Sequence, residues 1–169
     1  MDIFEAILTR RSVRKYTSQP VPEEVVKRLL SAAMQAPSAG NQQPWHFIVV
    51  TRRKQLNAMA EVLPYGKMLT QAPLSIVICA DMIGLKHQDY WVQDCSAATQ
   101  NLLLAAHASG LGAVWLGVYP REDRIQNITR LLELPNHVDP LCAVALGFPV
   151  EKVEPEDRYR EERVHRNVW

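Results

Sequence analysis

The chain has 169 residues, 47% hydrophobic and 22% charged, which suits one globular domain with a sizeable core. Nineteen basic residues against eighteen acidic ones leave a formal net charge of +1, without the basic excess of a general nucleic-acid binder. No apolar run approaches the ~18 residues that span a bilayer and no secretory leader is expected at the start, so the reading is a cytoplasmic protein with no membrane partner.

Residues 2–11, "DIFEAILTRR", place Ile3, Phe4, Ile7 and Leu8 at helical spacing behind Asp2 as N-cap. "PVPEEVVKRLLSAAMQA" predicts a second helix, with Pro22 near its first turn and Pro37 ending it. "PSAGNQQPW" is a loop of turn formers, and "HFIVVT" (46–51) a short buried strand. A modest helix follows over 52–62, then a strand over 74–81. The longest helix is predicted over 92–109, a strand over 112–118, a helix over 121–133 and a last strand over 139–148. From Pro149 the chain is charged and without helical period. Helices alternating with four strands imply an α+β or α/β domain whose sheet is covered on both faces.

The helix at 92–109 is apolar around nearly its whole circumference, and such a helix is buried all round. One sheet covers only one side, so the helix is either central within a monomer or, as the preferred reading, lies at a subunit interface. Gly110 reads as the C-cap.

"SGLGAVW" fails as a dinucleotide fingerprint, because Trp115 stands at the third glycine position and the order is helix then strand. The five histidines lack ligand spacing, so no metal is expected. Cys79, Cys95 and Cys142 sit apart in apolar stretches and read as reduced core residues. Nothing resembles a nucleophile with its base, so a catalytic reading needs a bound cofactor. Four cations, Arg10, Arg11, Arg14 and Lys15, fall within six residues. Arg10 and Arg14 would share a face if the first helix continued. The cluster is either a solvated face or an anion grip suited to a phosphate monoester, with Ser12 as an added donor.

"RRSVRKY" after a first helix, "APSAGNQQPWHFIVV", "GLGAVWLG" and "LGFPVEKVEPEDRYREERVH", in this order over nearly the whole chain, resemble the FMN-dependent nitroreductase family. The resemblance implies a mixed β-sheet flanked by helices in three layers, in an intertwined homodimer. It implies a single FMN-binding domain over 1–169, with 149–169 a tail that contributes to the dimer and cofactor site. By motif, Arg10, Arg11, Ser12 and Arg14 look like phosphate and ribityl contacts. Pro37, Ser38, Ala39 and Asn41 look like the loop that the other subunit lays along the flavin. Trp115, Leu116 and Gly117 are similar to the segment beside the ring and its N5, with the Gly117 backbone as the N5 contact. Arg158, with Arg160, resembles the tail cation that returns to the phosphate. Many larger members carry an acid near the position of Leu116 and an amide near that of Pro64 or Tyr65, and this chain does not.

The implied activity is ping-pong transfer from NADH or NADPH through flavin N5 to a small organic oxidant such as a nitroaromatic or quinone. The alternative is a flavin-binding sensor or storage protein without turnover.

Overall fold

The computed structural model describes residues 1–169. Four strands form one sheet in the order β1-β2-β4-β3: β1 (Trp45–Val50), β2 (Leu74–Asp81), β3 (Gly112–Gly117) and β4 (Val138–Gly147). Every pair of named strands is antiparallel, and a parallel bridge from Ser12 to Ala113 adds a mixed element outside β3. Five α-helices accompany them: α1 (Ile3–Thr9), α2 (Glu23–Ala33), α3 (Arg53–Val62), α4 (Trp91–Ala108) and α5 (Glu122–Leu132).

Period-2 alternation builds three layers. Leu74, Ile76, Ile78 and Ala80 of β2 pack with α2 and α4 on one face. Val77 and Cys79, one residue out of phase, pack with α3 and α5 on the other. Burial on both faces is why β2 reads as a continuous apolar run rather than an alternating one.

Asp2 caps α1 by accepting the amide of Glu5 at 2.9 Å. The helix stops at Thr9 and Arg10 is extended, so Arg10 and Arg14 do not share a helix face as the spacing suggested. The apolar stripe ends there, and the amide of Val13 donates to the Ala113 carbonyl at 3.0 Å instead of continuing the helix. At the end of α4, Gly110 takes φ +76°, its amide donates to His107, and the amide of Leu111 donates to Ala106. Those two bonds form a Schellman closure, which turns the chain directly into β3.

Within this chain α4 is not buried all round. Trp91, Asp94, Cys95, Ala98, Thr99, Leu102, Leu103 and Ala106 are buried, while Asn101, Leu104 and Ala105 are half-buried and Ala108 is exposed at the helix end. No helix is long and apolar enough to cross a membrane.

Candidate functional site

The edge strand β3 links the parts of the site. Its first residues lie beside the basic segment, at Ala113, and its last, Gly117, lies about 13 Å further along. The helix α4 runs back antiparallel to it, so the N-terminal end of α4 and the 37–43 loop sit at the Gly117 end. The rings of Trp91 and Tyr119 meet there edge to face at 4.9 Å between centroids.

At the first end the four cations divide into pairs. Arg11 donates to the Glu154 carbonyl at 2.9 Å and lies 3.5 Å from the Glu156 carboxylate. Lys15 donates to Glu151 at 2.8 Å, which holds its ammonium more firmly protonated than usual. These two cations strap the tail to the domain. Arg10 and Arg14 have no acid within salt-bridge distance. Arg10 is half-buried, and burial, Arg158 and Arg11 together make its guanidinium easier to deprotonate than an ordinary arginine. Arg10, Arg11 and Arg158 line one cavity of ≈ 480 Å³ between the end of α1 and the tail. Arg158 itself lies 3.4 Å from Glu156. Ser12 is exposed, at the bridge to Ala113, and does not line that cavity. Arg160 is not brought in: it is exposed and its guanidinium donates to the Tyr159 carbonyl.

His107 positions this end, and its sequence surroundings do not single it out. Thr9 donates its one hydroxyl proton to the Glu5 carbonyl at 2.6 Å. The 2.8 Å contact between Thr9 Oγ1 and His107 Nε2 therefore takes its proton from the imidazole. Burial, then Arg10, lower the His107 pKa against the opposing pull of Glu5, which favours this neutral form.

At the other end, the antiparallel ladder determines which groups of β3 are free. The Val118 amide donates to Leu141, so the alternate residues Ala113, Trp115 and Gly117 turn their amides and carbonyls to the outer edge. The Ala113 carbonyl is taken by Val13 and that of Gly117 by Arg124 Nη1 at 3.0 Å. The Gly117 amide is left facing the edge. A Cβ on Gly117 would meet nothing within 4 Å, so there is open space beside this backbone. Trp115 packs on the α2 and α4 face, while Leu116 is buried on the α3 and α5 face. The guanidinium of Arg124 also lies 5.9 Å from the centre of the exposed Tyr65 ring.

The loop that contains Pro37, Ser38, Ala39 and Asn41 includes a 3₁₀ turn over Ala39–Asn41. Gly40, Asn41 and Gln43 have φ of 57°, 53° and 49°. The Ala39 amide donates to Asp94 Oδ1 and the Gln42 side chain to Asp94 Oδ2, both at 2.9 Å. Asp94 is a buried carboxylate of α4 that helical periodicity does not mark as functional.

The sequence profile of the Nitroreductase family matches residues 7–64 and 58–148. A protein of Methanothermobacter thermautotrophicus described as an NADH dehydrogenase/NAD(P)H nitroreductase is 51% identical over 169 residues, covering all of this chain and 88% of that protein. The structure is similar to that of an FMN-dependent nitroreductase from Clostridium difficile R20291, at TM-score 0.92 and 30% identity over 99% of this chain and all of the other. It is also similar, at TM-score 0.85 and 32% identity over all of this chain and 98% of the other, to a nitroreductase of Desulfovibrio desulfuricans solved with FMN.

Proposed function

Because the chain belongs to the nitroreductase family, we propose that it is a homodimeric oxidoreductase that uses FMN to pass electrons from NADH or NADPH to a small organic oxidant such as a nitroaromatic or a quinone. Flavin supplies the hydride chemistry at N5, which no side chain of this domain offers. The two substrates take turns at one exposed face, which is a ping-pong scheme.

The observation that carries this reading is the arrangement at Arg10. A half-buried guanidinium beside two others, with no carboxylate of its own, is an incomplete charge arrangement that a phosphate dianion completes. Arg10, Arg14, Ser12 and Arg158 hold the phosphate, and Arg11 keeps the tail in place through Glu154 and Glu156. The free Gly117 amide would be the donor offered to the flavin, with open space beside it. The 37–43 loop of the other protomer would help hold the flavin. Arg124 fixes the Gly117 carbonyl, so the strand end does not turn away from the ring.

The dimer is supported by the exposed apolar face of α1. Ile3, Phe4, Ile7 and Leu8 are 61, 73, 50 and 70% exposed, and Ile3 lines one cavity with Leu104 and Ala108 of α4.

Binding of FMN and riboflavin to wild type and Arg10→Ala tests the phosphate grip. A charge-assisted hydrogen bond is worth about 1.5–3 kcal/mol, so Arg10→Ala is expected to weaken FMN binding roughly ten- to a hundredfold. Riboflavin, without the phosphate, should bind wild type weakly and the variant about equally weakly. Full FMN affinity in the variant, with the same preference over riboflavin, would return the cluster to a solvated face.

A further inference from the structure

We infer that Asp94 is a positioning residue: it latches the 37–43 loop into the shape that receives the flavin ring. The inference rests on the FMN reading above and adds a residue that touches neither flavin nor substrate.

The loop is held in an unfavourable backbone. Asn41 and Gln43, neither a glycine, both occupy the left-handed region, which crowds a Cβ against the following carbonyl oxygen. Gly40 is left-handed as well, and a Cβ there would come within 2.8 Å of the His87 ring, so the loop lies directly against residue 87. Such a shape persists only where its surroundings over-determine it.

Asp94 supplies much of that constraint. It stands in the first turn of α4, where the helix dipole favours its charge, and is only 5% exposed. No cation lies within salt-bridge distance of it. Its charge is instead met by two neutral donors from the loop, the Ala39 amide and Gln42 Nε2. Gln42 then closes a reciprocal pair with the backbone of His87: Nε2 donates to the carbonyl at 3.0 Å and Oε1 accepts the amide at 3.1 Å. The amide of Gln43 donates to Ser38 Oγ at 3.0 Å and ties the loop to itself. One buried carboxylate thus joins the loop, the 83–90 segment and the end of α4.

The chemistry predicts what a one-atom change does. In Asp94→Asn, Oδ1 still accepts the Ala39 amide, but Nδ2 faces the donor Nε2 of Gln42. Turning the Gln42 amide relieves that contact and sets like against like at both backbone groups of His87. The latch opens at one place or the other with no change in volume.

The experiment measures FMN affinity and the visible-region circular dichroism of the flavin at saturating FMN, in wild-type holoenzyme, Asp94→Asn, Gln42→Leu and the double variant Asp94→Asn with Gln42→Glu. Both single variants are expected to raise the FMN Kd about tenfold, the worth of one charge-assisted hydrogen bond, and to alter the flavin dichroism. The double variant places an amide donor at position 94 against a carboxylate acceptor at position 42 and should recover part of both. Gln42 is only half-buried, so Gln42→Leu decides the matter where Asp94→Asn does not fold. Wild-type affinity and dichroism in either folded single variant overturn the latch while the FMN reading stands. A wild-type protein that binds no FMN overturns the FMN reading, and the latch with it.

Discussion

Cys79, Cys95 and Cys142 come from β2, α4 and β4, and the fold buries all three, Cys95 and Cys142 on the α2 and α4 side of the sheet and Cys79 on the other. Cys95 reaches the Cys79 carbonyl at 3.7 Å, and Thr99 lies 3.6 Å from the Cys142 sulfur. Burial pushes the thiols of Cys79 and Cys95 up to about 12 from 9.0, and nearby Asp139 and Asp94 push the same way. Burial also raises Cys142, against the opposing effect of its Thr99 contact. Thiolate is the reactive form, so these groups are inert at neutral pH. Iodoacetamide at pH ~8 is expected to leave the native protein unlabelled and to label all three thiols after denaturation; labelling of the native protein would contradict this. The sign of the pH effect follows from the same shifts. Above pH ~9 the unfolded chain loses thiol protons that the native chain keeps, so native stability is fully present below that pH and falls as pH rises toward 12. The midpoint of urea unfolding should decline across that window.

At the level of elements, the turn from α4 into β3 determines where the site's edge strand begins. Gly110 is left-handed at φ +76°, and a Cβ there would meet nothing within 4 Å, so Gly110→Ala tests backbone strain alone. The variant should lose about 1 kcal/mol, seen as a lower Tm, with native secondary structure retained; an unchanged Tm would show that the closure is not needed. This cap is legible in the sequence because glycine follows an apolar helix. The principal helices and strands are legible for the same reason: their periods, 3.6 or 2, are local properties. The strand over 74–81 sits where its continuous apolar run puts it, and the helix over 53–62 where helical spacing puts it, within a residue. The basic segment is different, because spacing shows which residues would align in a helix and not whether a β bridge to Ala113 wins instead. Asp94 is hidden for another reason. Its partners lie 55 and 52 residues away, and within α4 it reads only as one polar residue in an apolar helix. His107 and Arg124 likewise gain their roles from contacts that only the folded chain supplies.

At the scale of the molecule, the chain leaves apolar side chains of α1 exposed. The burial expected for α4 all round is met only in part, because Leu104, Ala105 and Ala108 line a cavity of ≈ 430 Å³ shared with Met1, Ile3 and Ala6. Leu103, by contrast, is 4% exposed within the protomer, so a charge at 103 would disrupt the core and report nothing about assembly. Phe4 is the better probe. Phe4→Glu adds a charge to a face already in water in the protomer, so the fold should survive while the dimer is lost. Sedimentation at micromolar concentration should give a dimer for wild type and a monomer for Phe4→Glu, and a monomeric wild type would contradict the proposed assembly.

The central claim is that this domain holds FMN where a reduced nicotinamide can reach it. Anaerobic titration of the FMN-loaded protein with NADH and with NADPH tests it most directly, followed at the visible flavin band. The account predicts that at least one of the two bleaches the band at one dinucleotide per flavin, and that a quinone or nitroaromatic restores it. A band unchanged under excess of both dinucleotides would contradict it.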